Sequence, residues 1–179
     1  MVVETLVIKN SATSNIFCKQ GEFYQEGNFI FIKKMARVKL IMPENKIAVI
    51  TVPVRISDIN YGNHLGNDAF VSIIHEARMQ WMMQHGYTEL NIEGTGLILA
   101  DLAIEFKNES FYGDAIEITI AIGEILKVSF ELYYELSTKR NDKIIVLAFA
   151  KTGMVSYDYA AKKVIAIPEK LKEILKTSI

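Results

Sequence analysis

The chain has 179 residues and a mass of 20.3 kDa, a size that suggests one domain and two at most. Half of it is apolar and 23% is charged, the balance of a globular chain rather than a disordered one. Lys and Arg number 20 against 21 Asp and Glu, and the formal charge of −1 argues against nucleic acid or another polyanion as partner.

A chain this long buries most of its unfolded surface and needs no metal or disulfide staple. Its single cysteine, Cys18, permits no internal disulfide and fits a reducing compartment. No apolar run approaches the ~18–20 residues of a membrane span. The first residues also lack the basic region and unbroken apolar stretch of a secretory signal. A soluble, cytoplasmic protein with no membrane partner is expected.

Residues 1–34 read as an N-terminal extension, loosely ordered or the product of a start codon assigned too early, and residues 35–179 as the main domain. A polar cluster fills residues 10–15, Gly21 and Gly27 interrupt the stretch after it, and only residues 28–32 resemble a strand. Met35 stands where denser patterning begins. Residues 47–56 are β-branched and apolar enough for a strand, with Pro53 pointing to an edge position or a bulge. Residues 57–66, rich in Asp, Asn and Gly, read as a loop.

The period then changes. Phe70, Ile73, Ile74, Ala77 and Trp81 share one helical face, and Val71, Met79, Met82 and Met83 widen it, so this helix should be covered on most sides. Asn67 is the expected cap and Gly86 the stop, giving a helix of about 19 residues. Three alternating strands follow, with their apolar faces on Ala100–Leu102–Ile104–Phe106, on Ile116–Ile118–Ile120–Ile122, and on Val128–Phe130–Leu132–Tyr134–Leu136. Residues 144–150 are almost continuously apolar, which predicts a central strand or one against another subunit. Arg140-Asn141-Asp142 signals a hairpin, and Pro168 opens a short helix carrying Leu171, Ile174 and Leu175. Consecutive strands with short turns imply an antiparallel sheet, and one long apolar helix must be wrapped by it: an α+β fold with no crossover repeats.

The polar residues of chemical interest concentrate between Arg55 and Phe70, where the first strand of this domain runs into the helix. A helix N-terminus offers about four unpaired N–H groups and roughly half a positive charge. Such donors stabilise the oxyanion of acyl transfer, and a nearby carboxylate can activate water or attack directly. Asp58 and Asp68 are the candidate carboxylates, weighed against an Asx turn for Asp58 and a dipole-complementing first-turn acid for Asp68. His64 is the candidate helper, weighed against a histidine that only pins the loop. Asn67, Glu76 and Lys127 are candidate substrate contacts. Glu76, also the third choice of carboxylate, stands about 13.5 Å along the helix axis from Asn67 and meets the thioester only if the substrate lies along the helix or comes from a neighbouring subunit. A Glu76–Arg78 pair and a solvated Lys127 are the blander readings. His75 and His85 read as structural, and no histidine or cysteine spacing suits a metal. Gly94-Thr-Gly96 lacks the context of a dinucleotide site, and no Gly-x-Ser-x-Gly is present.

Ser57-Asp58-x-Asn60, His64, Asn67, the Glu76-Ala77-Arg78 run and Phe111-Tyr-Gly113-Asp114 resemble the signature of hotdog-fold acyl-CoA thioesterases of the 4-hydroxybenzoyl-CoA thioesterase type. The resemblance spans residues 37–175 and implies an antiparallel sheet around one central helix. It implies acyl-CoA hydrolysis at sites on a homodimer or homotetramer interface, with the CoA thioester as substrate and no cofactor. One departure accompanies it. The second Asp of the family's Asp-x-Asp supplies the catalytic carboxylate, and here that position holds Asn60, whose amide cannot act as a general base. Two alternatives therefore stand beside hydrolysis. One is a non-catalytic module binding acyl-CoA or an acyl carrier. The other is a hotdog enoyl-CoA hydratase or dehydratase, although His64 lies six residues after Asp58 rather than five and the expected Pro is missing.

Overall fold

The computed structural model describes residues 38–177 and 179, and residues 5–9, 21–26 and 29–34 as strand backbone. The chain divides into two compact units, Met1–Val38 and Lys39–Ile179. In the first, β1 (Thr5–Lys9), β2 (Gly21–Glu26) and β3 (Phe29–Lys34) form an antiparallel sheet in the order β1-β3-β2. The sequence predicts only a strand near 28–32, which corresponds to β3. Gly21, read as an interruption, is instead the first residue of β2, because a strand end tolerates glycine better than its interior does. Cys18, the 10–15 cluster, Gly27 and Met35 lie outside the described residues.

The second unit runs β4 (Lys46–Pro53), α1 (Asn67–Gln84), β5 (Gly96–Phe106), β6 (Ala115–Ile125), β7 (Ser129–Arg140), β8 (Lys143–Asp158), β9 (Lys163–Val164) and α2 (Glu169–Lys176). Its antiparallel sheet has the order β4-β6-β7-β8-β5, with β9 added to β8. The three consecutive strands β6, β7 and β8 make the middle, so the apolar run of residues 144–150 is central as its composition predicts. Asn141 and Asp142 join β7 to β8 with φ of 48° and 60°, the left-handed pair that a two-residue hairpin requires. Pro53 closes β4 at an edge, where no inward N–H is demanded of it.

One core joins helix and sheet. Phe70, Ile73, Ile74, Ala77 and Trp81 of α1 are buried with Ile116, Ile118 and Ile120 of β6 and Phe130, Leu132, Tyr134 and Leu136 of β7. This is the hotdog arrangement, with the sheet curved around α1. Pro168 caps α2, whose Leu171 and Leu175 are buried in the same core.

Three expectations change. Asn67 is the first helical residue and not the cap; Gly66 occupies the N-cap, so α1 has 18 residues. The covered face is narrower than expected, since Met82 is buried but Met83 is 64% exposed. The face of β5 read as buried is mostly exposed: Ala100, Leu102 and Phe106 are exposed, although Phe106 sets its ring edge-to-face on Phe70, and Ile104 packs against the core. A bulge between Leu99 and Asp101 shifts the register with β8 within this face.

Candidate active site

The chain leaves β4 through a 3-10 turn, Ile56–Asp58, that Asp58 closes with its own carboxylate. Oδ2 accepts the Arg55 N–H at 2.8 Å and Oδ1 accepts the Ser57 hydroxyl at 3.3 Å. The Asp58 carbonyl accepts the Gly66 N–H at 2.9 Å, so the loop returns to where it began. Between them lies a small hairpin. Ile59 bridges Leu65, the Asn60 N–H donates to the His64 carbonyl at 2.9 Å, and the Asn63 N–H donates to the Asn60 carbonyl at 3.0 Å. Asn63 takes φ 63°, a left-handed conformation that Asn tolerates. The Asn60 side chain fills this hairpin, with Oδ1 accepting the Gly62 N–H at 2.8 Å and Nδ2 standing 3.2 Å from His64 Nδ1. A Cβ on Gly62 would come within 2.8 Å of His64 Nε2, so the imidazole lies against this turn only because the residue is glycine.

Asp114 anchors the loop from below. Its carbonyl accepts the Val54 N–H at 2.9 Å, and the Ser110 carbonyl accepts the Leu65 N–H at 2.7 Å. Its carboxylate accepts the Ser110 hydroxyl and the Phe111 N–H, each at 2.8 Å, and the forked guanidinium of Arg140. Arg140 also donates to the Glu109 carbonyl at 2.9 Å and lies over the Phe111 ring. Hydrogen bonding from Arg140 holds the Asp114 carboxyl at about 2, well below the usual carboxylate range. A carboxyl depressed on folding contributes stability above its unfolded value and loses it as pH falls through the folded one. Unfolding free energy is therefore expected to drop by about 2 kcal/mol between roughly pH 4 and pH 2 from this residue. Denaturant titrations of wild type and Asp114→Asn check it: the variant starts lower and has a flatter acid limb.

The loop delivers the chain to the start of α1. Gly66 is buried at the N-cap and no side chain caps this helix. Asn67 and Asp68 follow, both exposed. The Asp68 carboxylate folds back over Gly66, where a Cβ would lie 2.6 Å from Oδ1. The positive end of α1, a first-turn carboxylate and a half-buried imidazole thus belong to one short segment.

The family model of the thioesterase-like superfamily matches residues 54–175. The chain belongs to the thioesterase-like superfamily. Solved structures agree on its fold. A 1,4-dihydroxy-2-naphthoyl-CoA thioesterase from Synechocystis is 21% identical with a TM-score of 0.63, covering 71% of this chain and 93% of its own. An Asp-to-Asn mutant of 4-hydroxybenzoyl CoA thioesterase, complexed with 4-hydroxybenzoyl CoA, is 15% identical with a TM-score of 0.65, covering 72% and 97%. A gentisyl-coenzyme A thioesterase is 18% identical with a TM-score of 0.62, covering 72% and 99%. No curated protein matches the chain in sequence.

Within this thioesterase-like unit, Asp58, Asn60, His64, Asn67 and Asp68 are gathered at one place. Glu76 and Lys127 are not. Glu76 is exposed on α1 and accepts the Gln80 amide at 2.8 Å, while Arg78, its anticipated partner, binds Glu89 at 2.5 Å instead. Burial decides this: Arg78 is 4% exposed and needs a carboxylate that reaches inward. Lys127 is exposed beyond the far end of β6, roughly 30 Å or more from the loop at the usual strand rise. A cleft of about 230 Å³ near that end is lined by Asp101, Glu124 and Glu131, charges that repel a phosphate-bearing ligand. Among the described residues no group of three or more His, Cys, Asp or Glu could hold a metal, and no helix is long and apolar enough to cross a membrane. Sequence reasoning missed Gly62, Gly66, Ser110 and Arg140. Arg140 was visible only as part of a hairpin signal, and its reach to Asp114 spans 26 positions.

Proposed function

We propose that the protein hydrolyses an acyl-CoA thioester to the free acid and the CoA thiol. The observation that carries this reading is the uncapped start of α1, set between His64 and Asp68 in a thioesterase-like fold. The thioester oxygen lies on the N–H groups around Asn67, where negative charge that develops in the transition state meets preorganised donors. Water attacks the carbonyl carbon, the C–S bond breaks, and the sulfur leaves with a proton that water has lost. Asp68 orients and deprotonates that water. Asp58 does not, because both its oxygens are committed to the turn. Exposed Ile56, Tyr61, Phe111 and Tyr112 give the surrounding loops an apolar surface suited to an acyl group. The working protein is a homodimer or homotetramer of a cytoplasmic enzyme. Its bare β5 edge, with Leu99, Leu102 and Phe106 exposed, meets a second copy, and Lys127 reaches CoA phosphate only from that copy.

Purified protein incubated with aroyl- and acyl-CoAs of graded length and a thiol reagent tests this directly. Thiol release is expected from at least one substrate. Asp68→Asn is expected to lower kcat about 100-fold, the loss of a positioned base. Asp58→Asn is expected to lower the melting temperature while leaving kcat within about threefold of wild type. Silence across the whole panel sinks the reading. Asn60 favours one other reading, an acyl-CoA-binding module without turnover, in which CoA esters raise the melting temperature and no thiol appears.

A further inference from the structure

We propose that Asn60 is a positioning residue that fixes His64 in its Nε2–H tautomer, so that the imidazole meets the acyl group as a neutral hydrogen-bond donor rather than as a base. Only the identity of the acceptor rests on the thioesterase reading above; the tautomer does not.

The argument starts from a donor whose role cannot be exchanged. The Gly62 backbone N–H can only donate, so the Asn60 side-chain atom 2.8 Å from it is the carbonyl oxygen. That fixes the amide, and its NH2 group is the part that faces His64 Nδ1 at 3.2 Å. A nitrogen that receives a hydrogen bond from an amide NH2 carries no proton itself. The ring proton of neutral His64 is then on Nε2. One group competes, the Leu65 carbonyl, which would accept from a protonated Nδ1. It stands at 3.4 Å, near the limit of a useful hydrogen bond, and loses to the closer amide.

Nε2 lies against Gly62, where any side chain would collide with it. Gly62 thus does two jobs: its N–H orients the amide and its missing Cβ makes room for the ring. A carboxylate at this position could only accept, so it would favour a proton on Nδ1, the opposite nitrogen. Asn60 therefore inverts the polarity of the imidazole. No proton is transferred in this role; the Nε2–H stabilises charge on oxygen or sulfur as that charge develops.

Long-range 1H–15N correlation spectra of the full-length protein, recorded at alkaline pH where imidazoles are neutral, read the tautomer without reference to activity. His64 is assigned by the resonances missing from His64→Gln. Wild type is expected to show Nε2 protonated and Nδ1 bare. Asn60→Asp is expected to show the reverse, and Asn60→Leu, which leaves Nδ1 only the Leu65 carbonyl, a gain in the Nδ1–H form together with a several-fold fall in kcat at unchanged KM. A wild-type spectrum with Nδ1 protonated overturns the proposal, and so does an Asn60→Asp spectrum identical to it. Should the tautomers invert as described while wild type releases no CoA from any ester, the thioesterase reading fails and the positioning role stands.

Discussion

Replacing His64 with alanine is expected to lower kcat for a CoA thioester about 100-fold, the cost of removing one preorganised donor from an oxyanion site. Replacing it with glutamine is expected to return about a tenfold part of that loss, because a neutral side-chain N–H can donate although it cannot act as a base. The pair of variants separates two roles that a single alanine substitution confounds. If His64 took a proton from water, glutamine would be as inactive as alanine. Thiol release at saturating substrate gives kcat, and thermal melts of both variants show whether the hairpin around Asn60 and Gly62 survives the loss of the ring. Equal activity of alanine and wild type would remove His64 from the site altogether.

The largest effect on stability is expected from Glu89. Arg78 is buried in the middle of α1, and its guanidinium donates to Glu89 through Nε at 2.5 Å and to the Tyr134 hydroxyl through Nη1 at 3.3 Å. Tyr134 in turn bonds Thr152 at 3.1 Å, and the second oxygen of Glu89 meets His75 at 2.9 Å. Burial alone would push Arg78 down, but Tyr134 and Glu89 outweigh it and hold the guanidinium charged. Glu89→Ala leaves that charge in the core without its counter-ion, which costs about 3 kcal/mol. In a domain of this size the melting temperature falls by roughly 10 °C. Replacing both partners by apolar residues, as in Arg78→Met with Glu89→Leu, is expected to cost clearly less than the Glu89→Ala change alone, since no stranded charge remains. Denaturant unfolding of the three proteins checks the order, and a double variant that is the least stable of the three would show that the network is a net stabiliser.

Much of the main unit was legible because its signals are local. The isoleucines at 116, 118 and 120 and the helix face from Phe70 to Trp81 are period counts, and the buried core follows them. The Asn141–Asp142 hairpin and the Pro168 helix start are single-residue backbone constraints, and both are present in the fold. What stayed hidden depends on neighbours that no period reports. The alternation of β5 is real, but a bulge between Leu99 and Asp101 interrupts it, and Leu102 and Phe106 are left partly exposed. Glu89 sits in an irregular stretch eleven positions from Arg78, and nothing in the spacing links them. At the candidate site, residue types drew attention to this loop without indicating which groups are already held by hydrogen bonds. Asp58 looks like a catalytic carboxylate until its two hydrogen bonds are drawn, and Asn60 looks like a lost one until Gly62 and His64 are placed around it.

The sheet order also sets a timetable for synthesis. Both edge strands are made early and both depend on partners made late: β4 ends at Pro53 and waits for β6 at Ala115, while β5 ends at Phe106 and waits for β8 at Lys143. A ribosome adding ~5–20 residues per second leaves each of them unpaired for seconds. Closing those long spans precedes the contacts that reward it, which makes assembly slow for a chain of this length. During that interval the apolar residues of β5 have no sheet to cover them. A nascent chain of this kind has its greatest need of a holding chaperone between the emergence of Gly96 and that of Asp158.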